Sequence, residues 1–178
     1  MRNKTNVNFI VKVGMLSAVA FVLQMLGRLF PHVGGFLEIE FSDLPALIGA
    51  FALGPMAGVL IELIKNILHC FFTTTGCIGE LANFLVNGSM VLVAGLLYKR
   101  NKSRKGALIS MLAGVAVMVI SAFFSNFLLL IPLYMPTAPL QAKLDIVLSL
   151  ITPFNFVKGV VISFVTFFIY KPLSRCIK

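Results

Sequence analysis

The chain has 178 residues, of which 59% are hydrophobic and only 12% charged, and its mean hydropathy is +1.00. Soluble domains run near roughly 45–50% apolar and about 25% charged, so a water-soluble fold is excluded, and with it disorder, coiled coil, collagen and disulfide scaffolds. The net charge of +9 comes from a few clustered basic residues, a pattern that orients a membrane protein and does not grip nucleic acid.

The first apolar run, 9–29, is too long for a signal-peptide core and is followed by no small-residue cleavage site. Within it Gly14 and Ala18 are four apart, with Ser17 and Ala20 adjacent, which gives a small-xxx-small face for another helix. The segment up to Asp43 is acidic, with Glu38, Glu40 and Asp43. The next apolar stretch, 44–72, is broken at Gly54-Pro55, because a proline restricts the residue before it and lacks an amide donor. Its first part, 44–54, rises only ~15 Å and is too short to cross alone. Such helices are tolerated where they line a cavity or lie buried in protein, which predicts a binding site in the outer half.

The third helix, 55–72, carries Glu62 and Lys65 on one face, read as a mutually satisfied pair, with Asn66 and His69 beyond them. Cys70, Cys77 and Cys176 form no CxxC pair; Cys70 and Cys77 could be neighbours beside His69, but one His and two Cys lack a fourth metal ligand, and the three read as isolated thiols. The fourth, 80–98, presents Glu80, Asn83 and Asn87 as one stripe. The fifth, 107–133, holds Asn126 ~10 Å below its outer end. The segment 134–148, with Lys143 and Asp145, reads as an outer loop. The sixth, 149–170, carries Asn155 and Lys158 three apart, and Pro153 is expected to loosen the helix where Asn155 projects.

Charge sets the orientation. Arg2, Lys4 and Lys12 open the chain, Lys99, Arg100, Lys102, Arg104 and Lys105 form one loop, and Lys171, Arg175 and Lys178 close it. The positive-inside rule places all three clusters in the cytoplasm, which requires an even number of crossings between them. The prediction is an all-α integral membrane protein of the cell membrane: one domain over 1–178, six transmembrane helices with a short second one, and both termini cytoplasmic.

Polar groups inside spans are costly and so carry functional information. Asparagine offers a donor and an acceptor, which suits an amide- or uracil-like edge, and a lysine suits a carbonyl or phosphate. Seventeen phenylalanines and no tryptophan favour an uncharged aromatic ring system. The chain has no P-loop, no H-E-x-x-H, no G-x-S-x-G and no Asp cluster for catalytic magnesium, so active transport needs an energy source elsewhere.

Several stretches resemble the riboflavin-specific S components of energy-coupling factor (ECF) transporters. They are Glu40 to Leu47 (EFSDLPAL) running into Phe51 to Pro55 (FALGP), Gly58 to Asn66 (GVLIELIKN), Gly79 to Asn87 (GELANFLVN) and Pro153 to Gly159 (PFNFVKG). The resemblance implies a non-enzymatic subunit that binds riboflavin from outside, with no cofactor or metal of its own. It implies partnership with a transmembrane T component and two ABC-type ATPases that drive uptake. By the same resemblance Asn126, Asn155 and Lys158 read the flavin's pyrimidine edge, the loop from Leu37 through Ala46, including Asp43 and Pro45, covers it, and Glu80 and Asn83 meet the ribityl chain. FMN or flavin analogues are alternative ligands. The family's A-x-x-x-A docking face corresponds to Gly14 and Ala18, flanked by Ser17. The competing readings are an S component for another vitamin, a membrane enzyme using Glu62, Lys65 and Glu80, and a structural subunit whose asparagines only hold helices together.

Overall fold

The computed structural model describes residues 2–29, 37, 40–73 and 76–177, with side chains from Val7 onward. Glu38, Lys178 and the side chains of Arg2 and Lys4 lie outside the described residues. Six helices succeed one another: α1 (Arg2–Gly27), α2 (Asp43–Ala52), α3 (Pro55–His69, prolonged by a 3-10 turn at Cys70–Phe72), α4 (Ile78–Arg100), α5 (Arg104–Tyr134) and α6 (Leu140–Ile177). Five are long and apolar enough to cross a membrane, and α2 is the short one.

The break between α2 and α3 forms as its residues dictate. Gly54 adopts φ +114°, a region a Cβ disfavours, and Pro55 begins α3 where its missing amide costs nothing. The chain thus reverses, and α3 returns beside α2. At Gly58 the two helices nearly touch: a Cβ there would sit 2.7 Å from the Ala46 carbonyl oxygen and 2.4 Å from Val91. Small residues at 46, 50, 57 and 94 continue this close packing through the main core.

Both long C-terminal helices contain a π-turn, at Asn126–Leu130 in α5 and Val147–Ile151 in α6. Each lies just before a proline. The amide of Ile131, preceding Pro132, reaches back five residues to Asn126, and that of Thr152, preceding Pro153, reaches Val147. A proline ring pushes away the carbonyl four residues earlier, and widening the turn by one residue relieves the clash. The loosening anticipated at Pro153 is therefore present, one turn ahead of Asn155.

One boundary differs from the expectation drawn from sequence. α6 starts at Leu140, so Lys143 and Asp145 sit on helix and not in a loop. Gln141 donates to Asp145 at 3.1 Å along an exposed face. Polar residues spaced four apart support a solvated helical turn, which low hydropathy cannot tell from a loop.

The break at Gly54-Pro55 shares one end of the bundle with Phe9, Tyr98, Lys99 and Lys102. There Phe51 stacks on Tyr98 at 4.1 Å between ring centres, and Tyr170 meets both edge-on. The start of α1, the loop between α4 and α5 and the end of α6 are thus gathered at one end, which brings the three basic clusters together. Glu40 and Asp43 lie at the other end.

Candidate ligand-binding site

At the end opposite the basic clusters, charge is buried on a scale that packing alone does not need. The N-terminus of α2 places Asp43 inside the bundle, fully buried, where α3 brings Lys65 and α6 brings Lys158. Lys65 donates to Asp43 and to Ser42 Oγ (2.7 Å) and lies 2.9 Å from Glu62 Oε2. Lys158 Nζ donates to Glu40 Oε1 at 3.1 Å and lies 3.1 Å from Asp43 Oδ2. From α4, Asn83 donates to the same Glu40 oxygen at 3.0 Å and accepts from Asn87 at 2.6 Å. Burial works to raise the Glu40 carboxyl, but Lys158 and then Lys65 outweigh it and hold it below its ordinary range. Four helices and the loop before α2 therefore meet in one ion network.

Glu62 and Lys65 do form a pair, but it is one arm of this network and both side chains are fully buried. His69 and Glu80 form a separate pair at 2.8 Å that joins the outer ends of α3 and α4.

A cavity of about 450 Å³ opens beside Lys158, lined by Glu40, Phe41, Leu150, Phe154 and Val157 among others. Small-molecule sites typically span roughly 300–1,000 Å³ and combine apolar walls with few polar groups. Next to it a second apolar cluster gathers Leu37, Ile131, Val147 and Ile151, with Phe123, Phe127, Leu150 and Phe154 packed on it. Phe123 and Phe127 lie nearly parallel, 6.1 Å apart. Asn126 opens the α5 π-turn and Asn155 comes just after the α6 one. Each donates one amide hydrogen to its own helix, to Ala122 O (2.7 Å) and Ile151 O (2.9 Å). That tether fixes the side chain and leaves its remaining hydrogen-bonding capacity for something else.

The structure thus joins Asp43 and Lys158 directly, links Asn83 to Lys158 through Glu40, and sets Leu37 in the adjoining apolar cluster. Pro45 is buried within α2, and Ala46 packs in the main core against α3 and not along the cavity. Glu80 belongs to the His69 pair. On α1, Gly14 and Ala18 are exposed, whereas Ser17 is turned inward and donates to Val13 O. Glu40 and Phe41 fall in the loop expected to cover the ligand, whereas the Leu150–Phe154–Val157 stripe was missed as part of the site. The helical spacing of that stripe, running into Lys158, was the available signal.

Residues 8–170 match the family model described as ECF transporter, substrate-specific component. The chain is 35% identical to the riboflavin transporter RibU of Staphylococcus aureus, over 95% of this chain and 92% of that one. It is 36% identical to the riboflavin transporter FmnP of Bacillus subtilis, over 95% and 93% of the two chains. A solved structure, reported as the structure and mechanism of the S component of a bacterial ECF transporter, superimposes with a TM-score of 0.82. It is 35% identical and covers 100% of this chain and 99% of its own. This multi-pass membrane protein belongs to the substrate-specific components of ECF transporters.

Proposed function

We propose that this chain captures riboflavin from outside the cell and hands it to partner subunits for ATP-driven uptake. The observation that carries this reading is the position of Lys158: a lysine held by Glu40 and Asp43, at the edge of a cavity whose walls include Phe41 and Phe154, with Asn155 just under one turn before it on α6. An isoalloxazine has flat apolar faces and a pyrimidine edge of carbonyls and one N–H. Phe154 and its neighbours suit the faces, and Asn126, Asn155 and Lys158 suit the edge. Leu37, Glu40 and Phe41 cover the ring, Asp43 sets Lys158, and Asn83 receives the ribityl chain. FMN and other flavins share the ring and enter the same cavity, with Lys158 or Lys143 near the phosphate.

The chain carries no nucleotide motif of its own, so a T component and two ABC-type ATPases supply the energy, and the exposed Gly14 and Ala18 on α1 offer close approach to the former. The basic end faces the cytoplasm and carries both termini. An enzymatic reading finds little support, since Glu62 and Lys65 are engaged in the ion network. The test is to purify the chain in detergent without partners and titrate it with riboflavin. A yellow protein or saturable fluorescence quenching is expected, and a colourless protein that leaves added riboflavin unquenched would sink the assignment.

A further inference from the structure

The outer end of the bundle holds a chemistry that ligand capture does not use. Cys70 opens the 3-10 turn after α3, and Cys77 caps the start of α4. Gly76 and Cys77 both adopt left-handed backbone, φ +61° and +69°, and the second is disfavoured for any residue with a Cβ. This double turn swings Cys77 back against the end of α3. Its thiol donates to the Cys70 carbonyl oxygen at 3.9 Å, which holds the two cysteines side by side. Isolated thiols are the expectation from sequence, and the structure instead pairs them.

Both thiols are half-buried and free. The 23 residues of α4, ~35 Å of helix, separate Cys77 from the basic loop at Lys99–Lys105. By the positive-inside rule the pair therefore faces the outside, the compartment in which disulfides persist, while the exposed Cys176 lies at the other end.

We propose that Cys70 and Cys77 form a redox pair that closes to a disulfide by exchange with a low-molecular-weight disulfide outside the cell. The Cys77 thiolate, in the turn, attacks the small disulfide, forming a mixed disulfide and releasing one thiolate. Cys70, deprotonated, then attacks the Cys77 sulfur and expels the second. The two protein thiols are oxidised, the small disulfide is reduced to two thiols, and the protons from Cys70 and Cys77 end on them. The bond ties the end of α3 to the start of α4, beside the His69–Glu80 pair.

The test is intact-mass measurement of the folded full-length C176S chain in detergent after incubation with oxidised glutathione. The expected product has lost two hydrogens and resists maleimide until reduced, while C70S/C176S and C77S/C176S each keep one glutathione. Two glutathione adducts and no internal disulfide, or thiols that stay fully reactive to maleimide, would overturn the pair. The natural chain, which needs no substitution to fold, should lose the same two hydrogens and carry glutathione on Cys176 alone.

Discussion

Lys158 has two anionic partners and stands almost out of water, so its removal costs stability. Lys158→Ala strands part of the charge on Glu40 and Asp43 and should lower stability by about 3 kcal/mol, visible in thermal melts. Asn155→Ala removes a side chain whose one donated bond returns to its own helix. It should therefore melt close to the parent yet bind riboflavin roughly tenfold more weakly by fluorescence titration, the loss of about one hydrogen bond. Equal binding by the Asn155 variant would move the flavin edge elsewhere. The Glu40 carboxyl is held below its ordinary value of 4.5. A depressed pKa means that its contribution is complete above that value and lost only as pH falls through the lower, folded one. Riboflavin affinity should accordingly be flat from neutral pH down to the ordinary carboxylate range, and a decline beginning near neutrality would implicate another group. The intramembrane asparagines and lysines were legible in the sequence because polar groups there are costly. The role of Glu40 was not, since its partner stands 118 positions away in sequence and a loop acid looks like any solvated acid.

Two elements hold the site in shape. At Gly58 the backbones of α2 and α3 approach so closely that any Cβ meets the Ala46 carbonyl oxygen. Gly58→Val should cost about 1–3 kcal/mol through overpacking and lower the melting temperature with riboflavin absent or present. In α6 the wide turn exists because Pro153 cannot take the carbonyl four residues back. Pro153→Ala should let that turn tighten to regular helix, which rotates the C-terminal remainder of α6 by up to ~100° per residue of register. A variant that melts higher but binds riboflavin more weakly is the expected pairing, and unchanged affinity would mean that the π-turn does not aim Asn155. The Gly54-Pro55 break could be read from two letters, because their backbone preferences are local. The early start of α6 could not, because Lys143 and Asp145 look alike on an exposed helical turn and in a loop.

Across the whole molecule, hydropathy and the helix break foretold six helices with a short second one, and the described residues form that bundle. The spacing of Cys70 and Cys77 allowed them to be neighbours but favoured isolated thiols, since their approach depends on two consecutive left-handed residues that no spacing rule encodes. Orientation has its own test: with Cys70 and Cys77 replaced by serine, Cys176 should react with a membrane-impermeant maleimide in inside-out vesicles and not in intact cells. The opposite pattern would invert the topology. The Glu40–Lys158 contact also bears on biogenesis. Glu40 leaves the ribosome 118 residues before its partner, so until α6 is made the outer pocket has neither Lys158 nor its far wall. Chains interrupted before α6 should insert yet hold no vitamin, and cells would thus be spared half-made subunits that sequester it.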